Sequence, residues 1–275
     1  MSLKLPVVLT IAGSDPSGGA GIQADLKTIA ALGGYGMSVI TALTAQNTLG
    51  VEGIFEVPVA FIERQFDVLA RDVSIDAAKT GMLVSPSIVR AVAGRIREHR
   101  IARLLVDPVM ISKNGTALLE EEAREVLAAE LLPLAYIVTP NIPEAAYLAG
   151  EGIASIDDMK QAAKKIHGLG PCNVLVKGGH LEGEAVDILY DGLRFQAFGS
   201  ERIETRNTHG TGCTYGAAIA TGVARGLTVP EAVERAKRYI IAAIRFSFSL
   251  GAGQGPLDHM AALLREKESP EHFQD

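Results

Sequence analysis

The stretch Asn207-Thr208-His209-Gly210-Thr211-Gly212-Cys213-Thr214 sets small, hydroxyl and thiol side chains at the mouth of a helical run. Glycines let backbone N–H groups turn inward and let a ligand come close. The unpaired N–H groups of a first helical turn, with the helix dipole, favour negative charge. Residues 202–206 before the octapeptide read as extended, and 215–225 after it as a helix. The octapeptide therefore reads as an anion site. Cys213, in the first turn, is expected to have a stabilised thiolate. A glycine turn capped by a threonine is the plain alternative.

Other groups join it. Lys177 closes an apolar run and is followed by Gly178-Gly179-His180, which suits a phosphate. Asp107 follows Leu104-Leu105-Val106 and precedes Pro108, at the carboxyl end of an expected strand. Glu144 comes three residues after Asn141. Two carboxylates at neighbouring strand ends suit Mg²⁺, which keeps several waters and adds phosphate oxygens. Each also has an ordinary reading: a strand-end surface lysine, an Asp-Pro turn, a capping-box glutamate. His180 and His209 are given no catalytic role.

The loop Gly13-Ser14-Asp15-Pro16-Ser17-Gly18-Gly19-Ala20-Gly21 follows the first apolar run. Gly19, Gly21 and Ala24 match the G-x-G-x-x-A fingerprint, yet no acidic residue lies between Asp25 and Glu52 to hold a ribose. That disfavours a nicotinamide dehydrogenase. The Gly-Lys-Ser/Thr of a Walker loop is missing too. The loop approaches a small ligand without being a dinucleotide phosphate loop. Asp25 by itself reads as a solvated helical aspartate. Gln46 and Asn47 are polar groups able to read the hydrogen-bonding edge of a ring.

These residues need elements to hold them. Apolar runs at 6–12, 37–43, 77–83, 103–109, 136–139 and 173–177 read as strands, several buried on both faces of a parallel sheet. Helical patterns lie between them; at 120–131, Ala123, Val126, Leu127 and Leu131 share a face. Asn141 with Glu144, Ser155 with Asp158 and Thr228 with Glu231 have capping-box spacing. The short runs 186–190, 193–198 and 202–205 read as an antiparallel patch at a sheet edge. Such alternation predicts a layered α/β sandwich with sites beyond the strands' carboxyl ends.

The 275 residues are 48% hydrophobic, enough for a sizeable core, and the formal charge is -6. That charge argues against non-specific nucleic-acid binding. No apolar run reaches the length of about 18 residues that a membrane span needs. Residues 1–10 lack a signal-peptide layout, so the protein reads as cytoplasmic. Cys172 and Cys213 form neither a zinc motif nor an expected disulfide. A single domain is expected over 1–265, with a frayed tail at 266–275.

Several further motifs complete a set with the octapeptide. They are Ile11-Ala12-Gly13-Ser14-Asp15-Pro16-Ser17-Gly18-Gly19-Ala20-Gly21-Ile22-Gln23-Ala24-Asp25 and Thr41-Ala42-Leu43-Thr44-Ala45-Gln46-Asn47. Next come Lys79-Thr80-Gly81-Met82-Leu83, Asp107-Pro108-Val109-Met110, Thr139-Pro140-Asn141-Ile142-Pro143-Glu144 and Lys177-Gly178-Gly179-His180. Together they resemble the ribokinase-like superfamily, and within it the hydroxymethylpyrimidine/phosphomethylpyrimidine kinases of thiamine biosynthesis. The resemblance spans nearly the whole chain. It implies a three-layer α/β/α sandwich with a central, mostly parallel sheet and a minimal lid, and it implies ATP and Mg²⁺. It further implies that 4-amino-5-hydroxymethyl-2-methylpyrimidine, then its monophosphate, is phosphorylated by a cytoplasmic homodimer.

By the same resemblance Ala20, Asp25, Gln46, Met82 and Val109 line the pyrimidine site, Asp25 and Gln46 hydrogen-bonding the ring. Asp107 and Glu144 lie near the metal and phosphates, and Lys177 near the transferring phosphoryl group. Gly210, Thr211, Gly212 and Cys213 form the anion hole. Cys213 stands where most ribokinase-like enzymes carry an aspartate base, a variant seen in pyrimidine and some pyridoxal kinases. Pyridoxal kinase is the nearest alternative activity, and a non-catalytic pyrimidine-binding module is another.

Overall fold

The computed structural model describes residues 5–111, 115–179 and 185–261. The expected tail at 266–275 and His180 lie outside them. Nine strands form one sheet: β1 Val7–Ser14, β2 Tyr35–Gln46, β3 Val51–Glu56, β4 Ala77–Thr80, β5 Leu104–Val106, β6 Ile137–Val138, β7 Val174–Val176, β8 Asp187–Tyr190 and β9 Phe195–Phe198. Their order is β3-β2-β1-β4-β5-β6-β7-β8-β9. The run from β2 to β7 is parallel, and β3, β8 and β9 are added through antiparallel pairings.

Helices cover both faces. They are α1 Gly21–Ala31, α2 Val59–Asp72, α3 Pro86–Glu98, α4 Glu121–Val126, α5 Ile142–Ala149, α6 Ile156–His167, α7 Thr211–Ala224 and α8 Val229–Arg245. The pleat sends alternate side chains to opposite layers. Leu9, Ile11, Ala78, Leu104 and Val106 join Ile62 and Phe66 of α2 and Ile88 and Val92 of α3. Val8, Leu105, Ile137 and Leu175 join Tyr215 and Ile219 of α7 and Val233 and Ile240 of α8. Both cores are built mainly of apolar side chains, as a doubly covered parallel sheet requires, with Thr10, Asp25 and Lys79 buried on the α1–α7 side. Chain direction across the sheet reverses at β1, which has β2 on one side and β4 on the other. Ligands bind at such reversals.

Four expectations need correction. Residues 202–205 form no strand: the sheet ends at β9, Ile203 turns into the cavity described below, and Arg202 donates to Gly179 O at 2.9 Å. The helix expected from 215 starts at Thr211, because Gly210 in the left-handed region ends the preceding turn and Thr214 N bonds Gly210 O at 2.9 Å. The helix expected over 120–131 is α4 followed by a π turn, Leu127–Leu131, and a 3₁₀ turn, Leu132–Leu134. Pro133 has no N–H to continue the regular ladder. Ser155 caps α6 by accepting from Asp158 N, but Asp158 answers to Ala154 N and so the pair is not reciprocal. The reciprocal bonds do form at Asn141 and Glu144. One strand was not anticipated: β3 folds back on β2 as an edge hairpin, where a loop would have been read from the glycines at 50 and 53.

Candidate active site

A cavity of about 820 Å³ opens beyond the carboxyl ends of β1, β4, β5 and β7. At one end α7 begins. Gly210 has φ +80°, and a Cβ there would strike the carbonyl of Gly19. Only glycine fits both demands. Thr211 turns back on Thr208 O through its N–H at 3.3 Å and its hydroxyl at 2.7 Å. The Gly212 and Cys213 amides have no acceptor among the described residues. A Cβ on Gly212 would lie 3.7 Å from both Asp107 Oδ2 and Lys177 Nζ. Helix mouth, carboxylate and lysine thus converge, as the sequence suggested.

Lys177 follows β7 and donates to Asp107 Oδ1 at 2.8 Å; the Thr139 hydroxyl donates to the same oxygen at 3.2 Å. Burial works against the Lys177 charge, but Asp107 and Glu144 outweigh it and raise its pKa. Glu144 accepts from Asn141 N at 2.8 Å and is almost wholly buried. Burial, with the Asp107 charge adding, lifts it to about 7 despite Lys177. A bound cation would remove that penalty. Asp107 and Glu144 are hard oxygen donors with lone pairs to spare, so the donor set fits Mg²⁺ completed by water and phosphate oxygens.

Ala20, Gln46, Met82 and Val109 line the same cavity. The Thr41 hydroxyl donates to Met82 O at 2.7 Å and fixes that residue. Gln46 Oε1 accepts from Thr44 Oγ1 at 3.2 Å, and Gln46 Nε2 faces His209 Nε2 at 3.4 Å.

Asp25 does not reach the cavity. It is fully buried under the floor, taking the Thr10 hydroxyl at 2.5 Å and Lys79 Nζ at 2.9 and 3.0 Å. Its side chain points to the sheet because position 25 lies on the inner face of α1, with Ile22 and Ile29. The reading of Asp25 as a solvated helical aspartate is corrected to a buried ion pair.

Cys213 is corrected as well. Burial pushes its thiol up to about 11, and Lys79 offsets only part of that. The helix mouth alone does not make a thiolate here, because partial burial at the cavity wall costs the charged form more than the helix end returns.

Two groups had no assigned role in the sequence. Asp15 accepts from Ser17 N and Oγ at 2.8 and 2.7 Å, Ala20 N at 2.8 Å and His209 Nε2 at 2.8 Å. Burial opposes its charge, yet the His209 and Ser17 bonds prevail and hold it down to about 2. With the His209 Nε2 proton given to Asp15, the longer Gln46 contact is packing rather than a hydrogen bond. A Cβ on Gly19 would strike the His209 ring. The first glycine loop and the anion hole are therefore clasped together. Asp15 was legible as the aspartate of an Asp-x-Ser turn. Lys79 was legible as a charge inside an apolar strand run.

A doubly wound sheet with a helix-mouth anion hole, a lysine and two carboxylates at its strand ends defines a small-molecule phosphotransferase of the ribokinase-like class. The phosphomethylpyrimidine kinase family profile matches residues 15–258, and the chain belongs to that family. It is 48% identical over 258 residues to the hydroxymethylpyrimidine/phosphomethylpyrimidine kinase of Streptomyces coelicolor, covering 94% of this chain and 96% of the relative. It is 55% identical to the thiamine biosynthesis bifunctional protein ThiED of Geobacter sulfurreducens over 93% of this chain, and spans about half (52%) of that protein's length. The ADP complex of Bacillus subtilis pyridoxal kinase superposes with a TM-score of 0.88 at 41% identity, covering 95% of this chain and 100% of that one. Kinases of this family use ATP, typically with a divalent metal. No helix among the described residues is long and apolar enough to cross a membrane.

Proposed function

We propose that the chain transfers the γ-phosphoryl group of ATP to the primary alcohol of 4-amino-5-hydroxymethyl-2-methylpyrimidine, and then to the resulting monophosphate, in thiamine biosynthesis. What carries this reading is one cavity lined by Gln46, Met82 and Val109 together with Lys177 and the Gly210–Cys213 turn, in a chain of this family.

Ala20, Met82 and Val109 hold the flat ring, and Gln46 presents a donor and an acceptor to its edge. The alcohol then faces the mouth of α7. In a loose transition state charge spreads over the equatorial oxygens, so positioning and electrostatics carry the catalysis. The amides of Gly212 and Cys213 and the Lys177 ammonium stand where that charge develops. Asp107 and Glu144 would hold Mg²⁺, whose contribution there is neutralising phosphate charge. Burial pushes the Cys213 thiol up to about 11, so it orients the alcohol by a weak hydrogen bond and is not its base; the hydroxyl proton passes late to an oxygen of the transferred phosphoryl group. Such a transition state leaves little charge on the attacking oxygen, which makes a strong base unnecessary.

Pyridoxal kinase is the second reading, favoured by the closeness of the Bacillus subtilis fold. ATP consumption with Mg²⁺, offered hydroxymethylpyrimidine, its monophosphate and pyridoxal in parallel, separates the two. Turnover of the first two with pyridoxal poor supports the pyrimidine reading; preference for pyridoxal moves the ring site to vitamin B6; untouched ATP leaves a binding module. We further propose one domain through residue 265, a cytoplasmic location and a homodimer. The exposed Leu43, Leu49, Ile54 and Phe55 of the β2–β3 hairpin suit a subunit contact.

A further inference from the structure

Lys79 projects from β4 toward α1 and α7, in register with Thr10 of β1 and Leu105 of β5. It is 1% exposed. Its stem passes α7 where Gly216 has no side chain; a Cβ there would lie 3.4 Å from Lys79 Cε. Its ammonium lies under Gly81, 3.2 Å from where a Cβ would be, and Gly81 lines the cavity. Both Asp25 oxygens accept from Nζ. Two oxygens for three donors leave at least one N–H without its own acceptor among the described residues.

Stability does not explain this arrangement. Apolar residues of similar volume replace a buried ion pair at little loss, and sometimes with gain. Position explains it better. Gly216 is three residues after Cys213, so both face the same side of α7. The Lys79–Asp25 pair thus lies below the helix mouth, while the Lys177–Asp107 pair lies beside it. Asp25 of α1, Asp107 just after β5 and Cys213 of α7 are the ionisable groups that act on Lys79.

We propose that Lys79 is a positioning residue for phosphoryl transfer: its buried charge, held in place by Asp25, reinforces the anion hole from beneath and acts on the Cys213 side chain. The catalytic consequence rests on the phosphoryl-transfer reading, but the first test does not.

That test is the rate of Cys213 alkylation by iodoacetamide at fixed pH, in a Cys172→Ser background because Cys172 is exposed. Lys79→Met should slow alkylation about tenfold, the effect of one pKa unit. Asp25→Asn, which leaves the Lys79 charge uncompensated, should speed it. Opposite signs support the proposal. Equal signs, or no change, overturn it, since a purely structural pair would loosen the site in the same way from either side. Where a single variant fails to fold by circular dichroism, the neutral double variant is read instead: slower alkylation supports the proposal, and the background rate overturns it. In turnover, Lys79→Met should lower kcat with the KM for the pyrimidine alcohol kept, and Lys79→Arg should restore part of it. An inactive parent enzyme would sink the proposed function while leaving the alkylation signs readable.

Discussion

Among single residues, Lys177 and Cys213 carry unequal weight. Lys177 balances Asp107 and Glu144 and faces the helix mouth, whereas burial pushes the Cys213 thiol up to about 11. Lys177→Ala should therefore lower kcat by about a hundredfold or more, and Cys213→Ser by no more than about tenfold, in steady-state phosphate transfer. The reverse ranking would make Cys213 the base after all. Glu144 gives a pH signature. Its folded pKa, about 7, lies above the ordinary 4.5. The stability it contributes is then fully present below about pH 4.5 and lost as pH rises through 7. Metal-free protein should melt lower at pH 8 than a Glu144→Gln variant relative to the same pair at pH 5. His259, held down to about 4 by burial, acts with the opposite sign: its contribution is present above 6.5 and lost as pH falls through 4. Only the difference between the two proteins isolates Glu144. Most of these side chains could be read from the sequence, because strand ends and glycines announce them. Asp25 could not, since nothing in a helix's own pattern says which partner a buried carboxylate meets across the sheet. The acidity of Cys213 could not either, because desolvation is a property of the packed surroundings.

Elements place what residues supply. The strand–helix alternation was plain because doubly covered strands are apolar throughout, and β1, β2, β5, β6, β7 and α5 lie close to where periodicity puts them. The β2–β3 hairpin was hidden: β3 is largely exposed and carries Gly53, so it lacks the apolar signature of an inner strand. Residues 202–205 alternate like a strand, yet Ile203 serves the cavity instead. At α7 the start is set by Gly210 rather than by a side-chain cap. Gly210→Ala combines a strained φ with a collision at the Gly19 carbonyl. It should lower kcat by about a hundredfold while the melting temperature falls modestly, the loss of aligned amides exceeding the strain of about 1–3 kcal/mol. A variant with native kcat would show that the amides are not where charge develops.

For the whole molecule, the sheet has two unlike edges. β9 closes one with a short antiparallel strand. The other ends in the hairpin, where Leu49 and Phe55 are 66% and 65% exposed. Phe55→Asp should convert the proposed dimer to monomer in light scattering after size exclusion. The same mass for variant and parent would place the contact elsewhere or remove it. The hairpin is also tied to the site. Gln254 N donates to Thr48 O at 2.9 Å, and His209 N to Gly255 O at 3.1 Å. The segment after α8 so links the edge turn to the start of α7, a connection that no local sequence pattern announces.

The clasp between Gly19 and Gly210, with Asp15 bound to His209, has a consequence for exchanging parts between relatives. Residues 13–21 and 207–214 meet along this clasp, and neither can be rebuilt against an unmatched partner. A chimera that imports one loop alone inherits a collision or a severed bond. The two behave as a single cassette, and under the proposed function a change of ring preference is expected only when both are transplanted as a pair.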